Sequence, residues 1–180
     1  MKTVRPALAL AAAFATLAAA GCAQFDQAFA PPPPSALQAP IPASEVEWSK
    51  KSGNNTVSGM ASMKAGATTH TCAGEGANLI PASAYASARM TAIFGNDTRG
   101  TRAAAQNPVK FDNTDPLYVS TMRRSTCDAS GTFSFARVPD GVWYVTTAVK
   151  WDGPNNSVEG GSMMKRVDVR GGKLVKVTLP

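Results

Sequence analysis

The stretch TCDASGTFSFARVPDGVWYV, residues 126–145, leaves this chain few ways to fold. Alternation of large and small residues runs through TFSFARV (132–138) and again through VWYVTTAVKW (142–151). Successive side chains of a strand point to opposite faces, so this pattern reads as two paired strands. Phe133 and Phe135 share one face, opposite Ser134 and Ala136. In the second run Trp143, Val145, Thr147, Val149 and Trp151 form a charge-free stripe expected to face the core, with Val142, Tyr144, Thr146, Ala148 and Lys150 opposite. Pro139-Asp140-Gly141 combines a fixed φ, a side-chain acceptor and a residue tolerant of positive φ, the ingredients of a tight turn.

The same grammar extends along most of the chain. TVSGMASM (56–63), TTHTC (68–72), ANLIPA (77–82), LYVSTMRRSTC (117–127), GSMMKRVDVR (161–170) and KLVKVTLP (173–180) read as further strands, separated by AGEG, DASG, DGPNN and GG. Short strands at this spacing predict a mainly β fold, a single antiparallel β-sandwich of about seven strands. One helix is expected around 83–94, in ASAYASARMTAIF, with Pro81 near its start and Gly95-Asn96 at its end. Residues 96–116 read as a long irregular loop, and loops of that length on a rigid sandwich often carry recognition.

The N-terminus has a different composition. Lys2 and Arg5 precede an apolar run from Ala7 to Ala20, the pattern of an export signal and too short for a stable membrane span. Its end, LAAAGC, resembles the lipobox of bacterial lipoproteins, with Ala20 and Gly21 before Cys22 and Ala19 where Leu is usual. The alternative is ordinary cleavage after Ala20. The chain has three cysteines, and lipidation of Cys22 would leave Cys72 and Cys127 as an even pair in an oxidising compartment. The resemblance implies a signal peptide over 1–21, a lipid anchor on Cys22, and, with Ala23 following, delivery to the outer membrane. Residues 22–44 then read as a tether, with six prolines between 31 and 42 and no packed structure expected. Residues 45–180 form the expected domain. The net charge of +6 falls to +4 without Lys2 and Arg5, and the remaining basic residues are scattered, which argues against a nucleic-acid partner.

DASGTFSFARVPDGVWYV also resembles carboxypeptidase regulatory-like domains, the prealbumin- or transthyretin-like β-sandwiches. Asp128, Gly131, Phe133, Phe135, Pro139, Gly141, Trp143 and Val145 fill the Asp-x-x-Gly, Phe-x-Phe, Pro-x-Gly and aromatic-x-Val places of that pattern. The resemblance implies an accessory module with no catalytic residues to carry over.

Candidate chemistry is sparse. Cys72 and Cys127 each end a strand-like segment beside a turn, which favours a structural disulfide over a reactive thiol. His70 is the only histidine and has no metal-ligand companion, so it reads as an ordinary strand residue. Ser162-Met163-Met164-Lys165 has the Ser-x-x-Lys spacing of penicillin-interacting enzymes but lies in a strand-like run, where positions three apart face opposite ways. Asp112 and Asp115 are either calcium ligands or turn makers, and their Asn and Pro neighbours favour turns. No catalytic residue, metal or cofactor is therefore assigned. The expectation is a lipid-anchored envelope module with a protein or glycan partner. The alternatives are an envelope enzyme acting on glycan or peptidoglycan, and a subunit of an envelope assembly.

Overall fold

The computed structural model describes residues 35–179, which form a β-sandwich with helices on one outer face. Its nine strands are β1 Asn55–Ala65, β2 Thr68–Thr71, β3 Gly76–Pro81, β4 Arg99–Ala103, β5 Arg123–Thr126, β6 Thr132–Val138, β7 Gly141–Asp152, β8 Val158–Val169 and β9 Leu174–Leu179. Three α-helices, α1 Ala43–Val46, α2 Ala84–Phe94 and α3 Pro116–Thr121, complete the main elements. The expected lipidation residue Cys22, the expected signal peptide over 1–21 and most of the expected tether lie outside the described residues.

One sheet is organised by β1. Strand β9 runs parallel along one edge, and β6 and β2 pair antiparallel with successive halves of the other. The handover falls at Ala61, whose N–H donates to Gly131 O just before β6 and whose carbonyl accepts from Cys72 N just after β2. The second sheet is antiparallel in the order β4-β8-β7-β3-β5. The β7–β8 ladder runs from Gly141↔Val169 to Asp152↔Val158 and is the longest in the fold.

The alternating runs bury the predicted faces. Phe133, Phe135, Trp143, Val145, Thr147 and Val149 are all buried, whereas Ser134, Ala136 and Lys150 are exposed. They meet Val57, Leu79, Met163, Val177 and Leu179 between the sheets. Burial of each large apolar side chain contributes about 1.5–3 kcal/mol, so this layer supplies most of the driving force. At Arg137 (φ 53) strand β6 bulges, which advances the alternation by one residue and turns Val138 inward.

Five segments depart from the sequence reading. The outward stripe of β7 is not uniformly solvent-facing. Tyr144 is buried with Ile80 and Met164 beneath Tyr85, Ala86 and Met90 of α2, forming a second core. That core also takes Ile41 and Leu37, so the C-terminal end of the expected tether packs against the domain. Pro81 ends β3 rather than opening the helix. Helix α2 is instead capped by Ser83, whose side chain accepts from Ala86 N, and closed by Gly95 at φ 75. Arg99–Ala103 is a strand within the expected loop, hydrogen-bonded to β8. Pro116–Thr121, whose residues 117–121 were expected as strand, is a helix because Asp115 accepts from Leu117 N at 2.7 Å and Pro116 opens the first turn.

Candidate functional site

Trp151 is the last residue of the inward stripe of β7, and it sits where the hydrophobic core ends. There the end of β1, the edge strand β4 and the start of β8 surround a groove of about 670 Å³. Trp151, Met63, Lys64, Thr101, Ser157 and Glu159 line it.

Several contacts fix the indole. His70 of β2 stacks on it, with centroids 4.2 Å apart and planes inclined by 12°. The indole Nε1–H donates to Glu159 Oε2 at 2.9 Å. Gly160 passes so close that a Cβ there would come within 2.9 Å of the ring and 2.0 Å of Val149 O. Its φ of +96 is itself suited to glycine. A half-buried, pre-oriented indole is therefore available without further ordering cost.

The groove mixes an aromatic surface with separate polar groups. Glu159 keeps acceptor capacity beyond the bond from Trp151, exposed Lys64 carries three donors, and Thr101 and Ser157 supply hydroxyls. Glu159 is its single carboxylate. A flat apolar surface ringed by dispersed hydrogen-bonding groups suits a hydroxylated ligand with one apolar face.

The Cys72–Cys127 disulfide lies close by. The two Cα atoms are 5.7 Å apart, and both residues are buried in the main core. It joins the end of β2 to the end of β5 and so staples one sheet to the other. Cys72 follows His70 by two residues, so the staple also anchors the strand that presents the imidazole to Trp151.

Other sequence candidates separate from this site. Ser162 and Lys165 lie on opposite faces of β8, beside Met164 of the outer core and Met163 of the inner core respectively, so they do not converge. Asp115 is a helix cap that also accepts from Ile41 N at 2.9 Å, and no group of three potential metal ligands occurs among the described residues. Asp128 accepts from Ser130 N, Ser130 Oγ and Thr132 N, which makes it a turn residue. The Ser130 hydroxyl, with the Thr132 amide next, holds its carboxyl below the usual carboxylate range. Trp151 and Glu159 were not legible as site residues. The available signal was a tryptophan continuing the inward stripe into the DGPNN turn, past the reach of the core.

No family model matches the chain, and no curated protein sequence does. Among solved structures, a Pseudomonas aeruginosa protein described as a "putative carbohydrate binding protein" is similar to it with a TM-score of 0.63 and 26% sequence identity. The match covers 77% of this chain and 96% of that one. The two share a fold.

Proposed function

We propose that this protein is a non-catalytic, glycan-binding module of the bacterial cell envelope, held to the outer membrane by a lipid on Cys22. The observation that carries the binding half is the groove built on Trp151, with His70 behind the indole and Glu159 on its N–H. The similar Pseudomonas protein, described as a "putative carbohydrate binding protein", supports the same class of ligand. A pyranose would lay its C–H face on the indole while Glu159, Lys64, Thr101 and Ser157 exchange hydrogen bonds with its hydroxyls. A single groove carboxylate favours binding over glycoside hydrolysis, which ordinarily uses two carboxyl groups flanking the scissile bond. The Asp128–Val145 pattern supports a carboxypeptidase regulatory-like assignment for the sandwich, an accessory-module family.

The anchoring half rests on LAAAGC and on the pairing of Cys72 with Cys127, which leaves Cys22 as the third cysteine. Export to an oxidising compartment is consistent with that disulfide.

A glycan array probed with wild type and Trp151→Ala tests the binding half. Wild type should retain a defined subset of glycans that the variant loses, and equal retention by both would remove the groove from the account. Metabolic labelling with palmitate should mark the wild type and spare Cys22→Ser; an unlabelled wild type would defeat the lipid anchor.

A further inference from the structure

Two cations face each other beside the groove, and the fold gives them no anion. Register places Arg99 of β4 directly opposite Lys165 of β8. Directly opposed residues of an antiparallel pair project to the same face of the sheet. That face is the inner one, because the next such pair is Thr101↔Met163 and Met163 lies in the core between the sheets. Lys165 is half-buried, and its Nζ donates across to Thr178 O of β9 at 3.4 Å. Arg99 is exposed; its backbone N–H donates to Asn96 Oδ1, but among the described residues its guanidinium makes no hydrogen bond. Neither cation forms an ion pair among those residues.

Like charges directly opposite each other destabilise a sheet, so the pair is unfavourable until an anion joins it. Arg102 and Arg123 differ in this respect, since their guanidiniums donate to backbone carbonyls. A free, exposed guanidinium presents a planar fork that matches the two oxygens of a carboxylate.

The position of the pair connects it to the groove. Residues two apart on a strand share a face, so Arg99 continues the row of Thr101 and Ala103, both of which line the groove. At the rise of a strand, Arg99 lies about 7 Å beyond Thr101, and Lys165 about 20 Å along β8 from Glu159. An oligosaccharide spans that separation and a single sugar does not. The two ends also differ in hydrogen-bonding sense. Beside Trp151, Glu159 is an acceptor and the Ser157 hydroxyl already donates to Pro154 O at 2.8 Å, whereas Arg99 and Lys165 offer only donors.

We propose that the ligand of the Trp151 groove is an acidic oligosaccharide of the uronate type, lying along the inner flank of β4. One sugar stacks on Trp151, and a carboxylate further along the chain is held by the Arg99 fork, with Lys165 adding its charge. This rests on the glycan-binding reading and adds charge selection to it.

The test is a ¹⁵N–¹H titration of the intact protein with sodium tetragalacturonate and with its methyl ester, which keeps the backbone and lacks the charge. The acid should shift both the Trp151 indole N–H and the Arg99 Nε–H, and bind about tenfold or more tighter than the ester, which should shift Trp151 alone. Arg99→Gln removes the fork and relieves the like-charge pair, so thermal stability should hold or rise while affinity for the acid falls to that for the ester. Arg99→Glu, able to pair with Lys165, should take the acid below the ester. The proposal is overturned if acid and ester bind equally, if Arg99→Gln keeps the preference, or if Lys64→Gln alone abolishes it. In each of these cases a Trp151 response to the ester leaves the groove reading standing. An Arg99 response without a Trp151 response would separate the two ends and overturn it as well. Inorganic phosphate moving the Arg99 signal at lower concentration than the tetramer would overturn the carboxylate assignment. No response of either signal to either compound would overturn the proposal, with the array remaining the test of the groove.

Discussion

Gly59 and Asp128 show how single residues hold this sandwich together. Gly59 lies in the middle of β1 with β9 on one side and the Phe133 ring above it. A Cβ there would fall 2.4 Å from Val177 O and 2.6 Å from Phe133 Cζ. Gly59→Ala should therefore destabilise the fold by about 1–3 kcal/mol, read as a lower urea midpoint, because neither a strand carbonyl nor a packed ring can retreat cheaply. Asp128 acts through charge. Its carboxyl is depressed in the folded state, so the unfolded chain binds more protons as the pH falls. Its contribution is present above the ordinary aspartate value of about 3.9 and disappears as the pH drops through the folded pKa. Thermal melts of wild type and Asp128→Ala should differ at neutral pH and converge in strong acid; a gap independent of pH would contradict this role. Asp128 was legible as a turn residue because its partners are two and four residues away. Gly59 was not, because the atoms that crowd it belong to residues 133 and 177.

Between elements, two contacts connect parts that sequence separates: the disulfide, and Arg89 of α2, whose guanidinium lies 3.8 Å from the Phe111 ring centroid and donates to Thr114 Oγ1. The Cys72–Cys127 bridge spans 55 residues. Loop-closure entropy assigns a bridge of that span about 4 kcal/mol. The Cys72→Ala/Cys127→Ala variant should show that loss in equilibrium denaturation, together with freer motion of His70. Phe111→Ala should loosen residues 104–115 at a cost of about 0.5–2 kcal/mol and speed proteolytic cleavage within that segment. Sequence identified the bonded cysteines, β6, β7 and the body of α2, because each depends on local pattern or parity. It misread 117–121 as strand because Leu, Tyr and Val there mimic alternation, while the deciding signal was the Asp115-Pro116 cap. It also missed the second core. Tyr144 and Ile41 become inward-facing only once α2 has packed over the outer face of the sheet, a tertiary event that no local period announces.

Across the whole molecule, the sandwich positions three sequence-distant regions around Trp151: residues 62–64, 101–105 and 157–160. Such a groove exists only after both sheets have formed, which is why the scaffold was legible and its binding surface was not. The domain also has asymmetric faces. Helices cover part of one sheet's outer surface, while the outer surface of the other exposes Met60, Leu174 and Lys176. The most direct test of the glycan-binding account follows the three tryptophan indole N–H signals while the protein is titrated with a glycan retained on the array. Trp143 is fully buried and Trp48 packs edge-on against it with its own N–H on Glu45 O, so both serve as internal controls. The account predicts a saturable shift of the Trp151 signal, with Trp48 and Trp143 unchanged. Saturable binding that leaves the Trp151 signal in place would contradict it.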